Sequence, residues 1–382
     1  MSFTTRFAPS PTGPLHLGHA YSALLAHDMA HAAGGRFLLR IDDLDTSRCR
    51  SEYEAQIFDD LAWLGLDWPR PVLRQSERLP AYRAALQCLW DMGLLYPCSC
   101  SRADIRAAVS APQEGAPAHG PDGLIYPGTC RPKAPPSGAM PDMPLRLDMA
   151  RALARLDAPP VTFTETGTGP AGETGRITPE DMTGRVGDVA LARPGLGASY
   201  HLSVVVDDAA QGITHVIRGQ DLFEATQIHV LLQQLLELPV PLYHHHRLIR
   251  DSAGKRLAKR DDARAIATYR AQGRHDLGFH AITQRRVETA APVGVTGRSD
   301  LLDQHQQAIA VTIHPHLDQV LHMARALALH PERLARAAPI GHPPGLQRPR
   351  HRLAVHPRHH QHLAPLGGLR YDGDQPAIVV FQ

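Results

Sequence analysis

Two histidines near the start of the chain stand where their rings could bind an anion. His16 and His19 follow the stretch RFAPSPTGPL, whose prolines and glycine predict a turn between a short apolar strand and a long helix. The start of a helix presents unpaired backbone N–H groups to an anion, and ring N–H groups in the first turn add donors. We therefore predict a site for a nucleotide phosphate at this turn. The alternative for such a pair is a capping or solvated role.

Three of the five cysteines form a second group that could do chemistry. Cys98 and Cys100 stand in the sequence CSC, and Cys130 ends the sequence YPGTC. Thiolates favour zinc, and a structural zinc site needs four ligands in a tetrahedron. Burial as free thiols is the alternative. An odd number of cysteines in a long chain argues against a disulfide framework, and Cys49 and Cys88 are predicted to pack on helices.

Lysine is rare in this chain, which makes its positions informative. Arginine supplies nearly all of the positive charge, and the lysines are Lys133, Lys255 and Lys259. Two of them lie in the sequence GKRLAKR at residues 254–260. Alone, this sequence would be interpreted as a solvated basic turn. The net charge of +2 neither requires nor excludes a nucleic-acid partner.

The hydrophobic pattern predicts the elements that position these residues. Residues 3–7 and 36–41 are predicted strands, and residues 17–33 form a predicted helix that ends at Gly34 and Gly35. Such a βαβ unit predicts an α/β fold with a parallel, nucleotide-binding sheet. Further helices are predicted at 52–64, 79–92 and 225–238, and strands at 201–208 and 213–219.

Two regions differ in composition from this pattern. Residues 96–160 are rich in Pro, Gly and Ala and predict an inserted subdomain with long loops. Residues 274–382 contain 13 of the 24 histidines, no Lys or Trp, and three aromatic residues. We predict that this tail is poorly ordered, with one amphipathic helix at 318–337, and that it is either a frame-shifted end or a lineage-specific extension.

The two basic motifs together resemble one enzyme family. HLGH after APSPTGPL resembles the His-x-Gly-His signature of class I aminoacyl-tRNA synthetases, and RFAPSPTG resembles their glutamyl branch. GKRLAKR resembles the lysine loop that closes the triphosphate site, with Ala258 where a serine is usual. The resemblance implies a Rossmann-type catalytic domain, ATP with Mg²⁺, catalysis by His16, His19 and Lys259, and ATP binding by the same three residues with Gly18.

The same resemblance implies a set of residues that bind L-glutamate. An arginine is the side chain best suited to hold the substrate's side-chain carboxylate, and an acid suits its ammonium group. The family more often has a glutamate at the position of Asp42. The implied ligands are Arg6, Phe7, Ala8, Pro9, Ser10, Asp42, Tyr200 and Arg218.

The cysteine spacing resembles a zinc site in a shortened group of this branch, the glutamyl-Q tRNA(Asp) synthetases. The resemblance implies one structural zinc bound by Cys98, Cys100, Tyr126 and Cys130. Pro132 stands where a related glutamyl-tRNA synthetase pattern has a histidine.

The resemblance covers about residues 3–273 and predicts four parts. These are a first half of the catalytic domain at 1–95, the zinc subdomain at 96–190, a second half with the lysine loop at 191–273, and the tail at 274–382. The tail is unlike the helical anticodon-binding region of a full glutamyl-tRNA synthetase.

The function that this family implies is activation of glutamate and its transfer to the queuosine base of tRNA(Asp). We expect a monomer. We also expect a cytoplasmic location, because no apolar run is long enough to span a membrane and no signal peptide is visible. The alternatives are a truncated glutamyl-tRNA synthetase that charges tRNA(Glu), a nucleotidyltransferase, and a non-catalytic RNA-binding relic.

Substitution of the second loop lysine tests this interpretation. We expect Lys259→Ala to lower the rate of adenylate formation far more than it weakens glutamate binding, because the lysine charge acts mainly on the transition state. Glutamate-dependent exchange of pyrophosphate into ATP measures the first quantity, and equilibrium binding of glutamate measures the second. Equal losses in both would assign the loop another role.

Overall fold

The fold begins with the predicted strand, helix and strand. The structure is a computed structural model, and it describes residues 2–109, 119–156, 161–193, 195, 197–249 and 265–272. Strands β1 (Thr4–Phe7) and β2 (Arg36–Ile41) pair in parallel, and helix α1 (Leu17–Ala32) connects them. Gly34 follows the helix with φ of 60°, a backbone region that glycine adopts at low cost. The glycine stop predicted from the sequence is therefore confirmed.

Two more helices complete the first part of the chain. Helix α2 (Ser51–Trp63) leads to strand β3 (Leu73–Arg74), which pairs in parallel with β2. Helix α3 (Leu79–Asp91) leads to strand β4 (Leu95–Pro97). Both helices confirm the sequence prediction to within about one residue at each end. Cys88 lies on α3 as predicted, but Cys49 lies in the loop before α2, so its helical assignment was wrong.

The middle of the chain consists of short elements joined by long loops. The elements of this region are α4 (Arg102–Val109), β5 (His119–Gly120), β6 (Gly123–Leu124), β7 (Leu145–Leu147), α5 (Met149–Arg155), β8 (Phe163–Glu165), β9 (Gly175–Ile177), α6 (Met182–Arg185) and β10 (Ala190–Ala192). Strand β7 lies between β4 and β10 in an antiparallel sheet, and β5 pairs with β6 in a separate hairpin.

The last described part returns to parallel pairing. It comprises helix α7 (Tyr200–Ala210), strand β11 (His215–Gly219), helix α8 (Thr226–Leu235), strand β12 (Leu242–His246) and helix α9 (Ile266–Ala271). Strand β12 pairs in parallel with β11 and with β8, and β9 pairs antiparallel with β8. Strand β1 lies beside the start of β11, where the Thr214 N–H donates to the Thr4 carbonyl at 2.9 Å.

The strand predicted at residues 201–208 is wrong, because these residues form helix α7. Three consecutive valines gave the segment a strand-like composition. The Ser199 side chain accepts a hydrogen bond from the Leu202 N–H and caps the helix start. Both Val204 and Val205 are buried, as are Asp207 and Asp208 at the end of the segment. A helix packed on several sides has no polar face, so the sequence shows no helical period.

Two apolar clusters support the parallel strands. The first packs α1 and α2 against β1 and β2, and Leu24, Leu39 and Ile57 are each at most 2% exposed. The second joins α3, β7, α7 and α8. Burial of each such leucine or isoleucine contributes about 1.5–3 kcal/mol to folding. No helix in the described ranges is both long and apolar enough to cross a membrane.

A buried carboxylate on α2 generates a prediction about stability and pH. Asp60 is fully buried, and in the described part of the chain its carboxylate makes an ion pair with Arg270 at 3.5 Å but no hydrogen bond. Burial raises the pKa of Asp60 to about 6, and Arg270 offsets only part of this rise. A raised pKa means that the fold is more stable with Asp60 protonated and loses stability as the pH rises through about 6.

We expect Asp60→Asn to remove this dependence. Between about pH 4 and pH 7, the wild type should lose up to about 3 kcal/mol of unfolding free energy relative to the variant. Urea denaturation of both proteins across this range measures the difference. The matched control is Asp59→Asn on the exposed neighbour. The charge of Asp59 makes the smallest of three contributions to the pKa of Asp60, so the curve of this variant should stay close to that of the wild type. Parallel curves for Asp60→Asn as well would contradict the prediction.

Candidate active site

A cleft lies where the parallel strands β1, β2, β11 and β12 end. The carboxyl ends of parallel strands meet at one edge of a sheet, which is where α/β folds commonly bind ligands. Every predicted glutamate- or ATP-binding residue that the structure describes lines this cleft: residues 6–10, His16, Gly18, His19, Asp42, Tyr200 and Arg218. Lys259, Lys255 and Ala258 lie outside the described residues, as does the tail at 274–382.

The two histidines of the first motif hold each other at the start of α1. His16 is the N-cap, and its Nδ1 accepts from the Gly18 N–H at 3.1 Å. Nδ1 of His19 accepts from the His16 N–H at 3.1 Å, which completes a reciprocal capping box. The ring centroids are 3.8 Å apart. Because both Nδ1 atoms accept, each neutral ring carries its proton on Nε2, where it can donate to an anion.

The described neighbours of the lysine segment lie at this cleft. Ile249, which immediately precedes residues 250–264, lines the cleft. Ala265, which follows them, forms a β-bridge with His16, and the Ile266 N–H donates to the Leu15 carbonyl at 2.9 Å. The described chain therefore reaches this cleft before the segment with Lys259 and resumes beside His16 after it.

Buried ion pairs form the floor of the cleft. Asp208 on α7 accepts from Arg6 through Nε at 2.9 Å and through Nη2 at 3.1 Å. It also accepts from Nη1 of the fully buried Arg40 at 2.6 Å, and Nε of Arg40 donates to Asp42 at 2.7 Å. Sequence reasoning missed Arg40 and Asp208. The only signal was a charged residue within each of two apolar segments.

The two carboxylates of this network differ in pKa. Burial raises the pKa of Asp42, although Arg40 opposes that rise. Burial also acts to raise the pKa of Asp208, but Arg6 and Arg40 together outweigh it and lower that pKa. Nη1 of Arg6 has no hydrogen-bond partner among the described residues. On this side of the cleft, Nη1 of Arg6 is therefore a donor and the carboxylate of Asp42 is an acceptor.

Arg218, at the end of β11, is surrounded by neutral acceptors. Its Nε donates to Nε2 of His245 at 3.1 Å, and its Nη1 lies 3.1 Å from Nδ1 of His229. Its Nη2 donates to the Leu222 carbonyl at 3.2 Å and to Oγ1 of Thr226 at 2.8 Å. In the described part of the chain no carboxylate pairs with Arg218, so this buried cation keeps its charge for a ligand.

Tyr200 and the buried histidines complete this side of the cleft. Tyr200 begins α7, and its ring packs edge-on against His229 with centroids 5.6 Å apart. Burial lowers the pKa of His245 to about 4, with Glu165 opposing and Arg218 reinforcing the shift. Burial and Arg218 also lower the pKa of His229 well below its usual value. No sequence pattern indicates His229 or His245 as partners of Arg218.

The three cysteines of the middle region come together around one tyrosine. The sulfur atoms of Cys98, Cys100 and Cys130 lie within 4.8 Å of one another. Oη of Tyr126 is 3.4 Å from Sγ of Cys98 and of Cys100, and Cys100 and Cys130 are 3.4 Å apart at sulfur. Sulfur ligands of a tetrahedral zinc ion are about 3.8 Å apart. The described donor atoms therefore fit a zinc ion.

The surroundings of this cluster affect its thiols unequally. The hydrogen bond with Tyr126 acts to lower the pKa of Cys100, but burial and the hydrogen bond with Cys130 outweigh it and raise that pKa. Nε of Arg146 donates to Sγ of Cys98 at 3.3 Å, and its guanidinium lies 3.9 Å from the centre of the Tyr126 ring. The hydrogen bond with Tyr126 lowers the pKa of Cys130 to about 7. A cation beside thiols stabilises their thiolate form, which is the form that binds metals.

The comparison with known families identifies the class of protein. The model for the catalytic domain of the class I tRNA synthetases (E and Q) matches residues 2–121 and 174–302. The chain therefore belongs to this family and is an aminoacyl-tRNA synthetase-type enzyme.

Within the family, the chain is similar to glutamyl-Q tRNA(Asp) synthetases. It is 64% identical to that of Rhodobacter capsulatus over 271 residues, which are 70% of this chain and 95% of the relative. It is 41% identical to that of Geobacter sulfurreducens over 266 residues, or 69% and 78% of the two chains. These relatives confirm the predicted family.

Two solved structures share the fold. The glutamate-tRNA synthetase of Elizabethkingia anophelis is 28% identical with a TM-score of 0.54, and the match covers 69% of this chain and 53% of that chain. A glutamate tRNA ligase from Elizabethkingia meningosepticum, solved with its amino acid, gives 28% identity, a TM-score of 0.53 and the same coverage. The chain thus spans about half the length of these two proteins.

Proposed function

We propose that this chain activates L-glutamate with ATP and transfers it to the queuosine base of tRNA(Asp). The observation that carries the proposal is the position of Arg218, a buried cation without a carboxylate partner among the described residues, in the same cleft as the histidine-capped helix start. A carboxylate substrate and a nucleotide phosphate would thus meet in one site. The names of the relatives that match about 70% of this chain support the choice of glutamate and tRNA(Asp).

The charges of the cleft fit glutamate. Arg218 suits the side-chain carboxylate, because its partners are neutral and hold the guanidinium still. The carboxylate of Asp42 suits the ammonium group, and Nη1 of Arg6 is a further donor. Tyr200 packs against His229 and lines the same cleft. The reacting carboxylate then lies on the side of the histidine motif.

In the first step the glutamate carboxylate attacks the α-phosphorus of ATP. The bond to the bridging oxygen of pyrophosphate breaks, and pyrophosphate leaves. His16 and His19 would donate from Nε2 to the phosphate oxygens. Gly18, which has no side chain, would let the backbone approach the phosphates. Lys259 would neutralise charge on the departing pyrophosphate. This is electrostatic stabilisation with little proton transfer by the protein. Mg²⁺ bound to ATP supplies further positive charge.

The second step transfers the glutamyl group from the adenylate to tRNA and releases AMP. Queuosine of tRNA(Asp) is the proposed acceptor, and the proposed active species is a monomer in the cytoplasm. The second candidate is charging of tRNA(Glu) at its 3′ end, because the two matched structures are glutamate-tRNA synthetases.

An acceptor experiment tests the proposal. With radioactive glutamate and ATP, we expect the protein to label tRNA(Asp) that carries queuosine and not tRNA(Asp) transcribed without the modification. Periodate treatment of the tRNA before the reaction should abolish labelling. Because periodate cleaves the diol of the 3′-terminal ribose as well as that of queuosine, the unmodified transcript is the control that separates the two acceptors. Glutamate-dependent exchange of pyrophosphate into ATP should proceed without tRNA. Labelling of tRNA(Glu) alone would establish the second candidate, and absence of exchange both with and without tRNA would refute both candidates.

We also propose that Cys98, Cys100, Cys130 and Tyr126 hold one structural zinc ion. The support is the close set of four donor atoms and the neighbouring Arg146. Zinc would fix the loops of a region with few long elements. The three thiols lie close to the phenol of Tyr126. Burial raises the pKa of this phenol, so it would lose its proton only when a metal ion binds.

Metal analysis tests the zinc proposal. Cys98→Ser and Cys130→Ser should each contain one zinc per chain fewer than the wild type after dialysis, and both should melt at a lower temperature. The rate of glutamate-dependent pyrophosphate exchange should fall by a smaller factor than the zinc content. The matched control is Cys88→Ser on α3, outside the cluster, which should keep the metal. Equal zinc contents in all four proteins would refute the site.

A further inference from the structure

The hydrogen bonds around Arg218 fix the proton positions of three buried histidines. A guanidinium donates and never accepts. Nε2 of His245 and Nδ1 of His229 must therefore both be acceptors. The proton of His245 then sits on Nδ1, which contacts the carboxylate of Glu165, and the proton of His229 sits on Nε2.

These hydrogen bonds form two arms, and the first continues beyond His229. Nε2 of His229 lies 3.1 Å from Nδ1 of His201, and Nε2 of His201 lies 3.2 Å from Oδ1 of Asp122. With the proton of His229 on Nε2, His201 accepts at Nδ1 and donates from Nε2 to the carboxylate. The ring N–H groups of His229 and His201 thus each have one acceptor, and this series of hydrogen bonds ends at the carboxylate of Asp122.

These contacts reach across the molecule. Arg218 belongs to β11, His201 to α7, His229 to α8, and Asp122 to the turn between β5 and β6 in the middle region. His201 and His229 are at most 3% exposed. A side chain held by buried partners on several elements has little freedom to rotate, and a buried donor left without an acceptor costs free energy.

We propose that His229, with His201 and Asp122 behind it, is a positioning relay that sets the orientation of Arg218 and with it the affinity for the substrate carboxylate. His245 and Glu165 form the second arm. This inference rests on the proposed binding of glutamate by Arg218. His229 touches no substrate in this arrangement and acts only through the arginine.

A pair of nearly isosteric variants tests the relay. His229→Asn retains an oxygen that can accept from Arg218, whereas His229→Leu has the same shape without an acceptor. Loss of a hydrogen bond to a charged group predicts a rise in KM for glutamate of about tenfold to a hundredfold in His229→Leu. We expect a rise of at most about threefold in His229→Asn, and in both variants a kcat and a KM for ATP within about threefold of the wild type. His215→Leu, a histidine on the same strand as Arg218 but stacked on Phe3, is the control and should not change these values.

Two further measurements make the result decisive. If His229→Leu fails to fold, Asp122→Asn removes the carboxylate at the far end and should still raise KM for glutamate without a change in kcat. Histidine NMR of the wild type should show His229 protonated at Nε2 and His245 at Nδ1, with the His229 signal identified by its absence in His229→Asn.

The outcomes separate the relay from the proposed function. Absence of glutamate-dependent exchange in the wild type would overturn the function, whereas the NMR result would still report on the hydrogen bonds. Exchange in the wild type with equal losses in the Asn and Leu variants, a loss confined to kcat, or the opposite tautomers would overturn the relay.

Discussion

The carboxylate of Asp208 is the contact on which the cleft depends. It joins α7 to arginines on two neighbouring strands, β1 and β2, and its partner Arg6 lies 202 residues away in the sequence. All three side chains are buried. Removal of the shared carboxylate would leave Arg6 without a carboxylate partner among the described residues and Arg40 with Asp42 alone. An unpaired charge in a low-dielectric interior typically costs several kcal/mol. The ends of the strands that line the cleft are therefore held together by charge as well as by apolar packing.

The arginines of the cleft differ in whether a carboxylate neutralises their charge. Arg6 and Arg40 are balanced by Asp208 and Asp42, so the floor has little net charge. Arg218 contacts histidines that burial keeps neutral, a threonine hydroxyl and a carbonyl. Its orientation is fixed without neutralisation. Arg218 could therefore attract an anionic ligand, whereas Arg6 and Arg40 contribute to the stability of the fold.

The sequence predicted the parts whose information is local. The βαβ unit, the helix stop at Gly34 and the histidine motif all depend on residues close together in the chain, and the structure has them where expected. Helix α7 was mistaken for a strand because its buried aspartates and valines leave no polar face. Arg40, Asp208, His229 and His245 were missed because a side chain's burial and its distant partners cannot be read from its own neighbourhood. The cysteines were found because their donor type and spacing are specific, although the role of Arg146 beside them was not.

The capping box at the start of α1 restricts the chemistry that its histidines can do. Nδ1 of each ring accepts a backbone hydrogen bond, so an added proton on either ring would have to break a cap. At the proposed phosphate site the pair would therefore act as electroneutral dipoles whose direction is set by the backbone. Formal positive charge must then come from elsewhere, and Lys259 is the residue proposed to bring it. The backbone hydrogen bonds that cap the helix thus also set the direction of the electric field at its start.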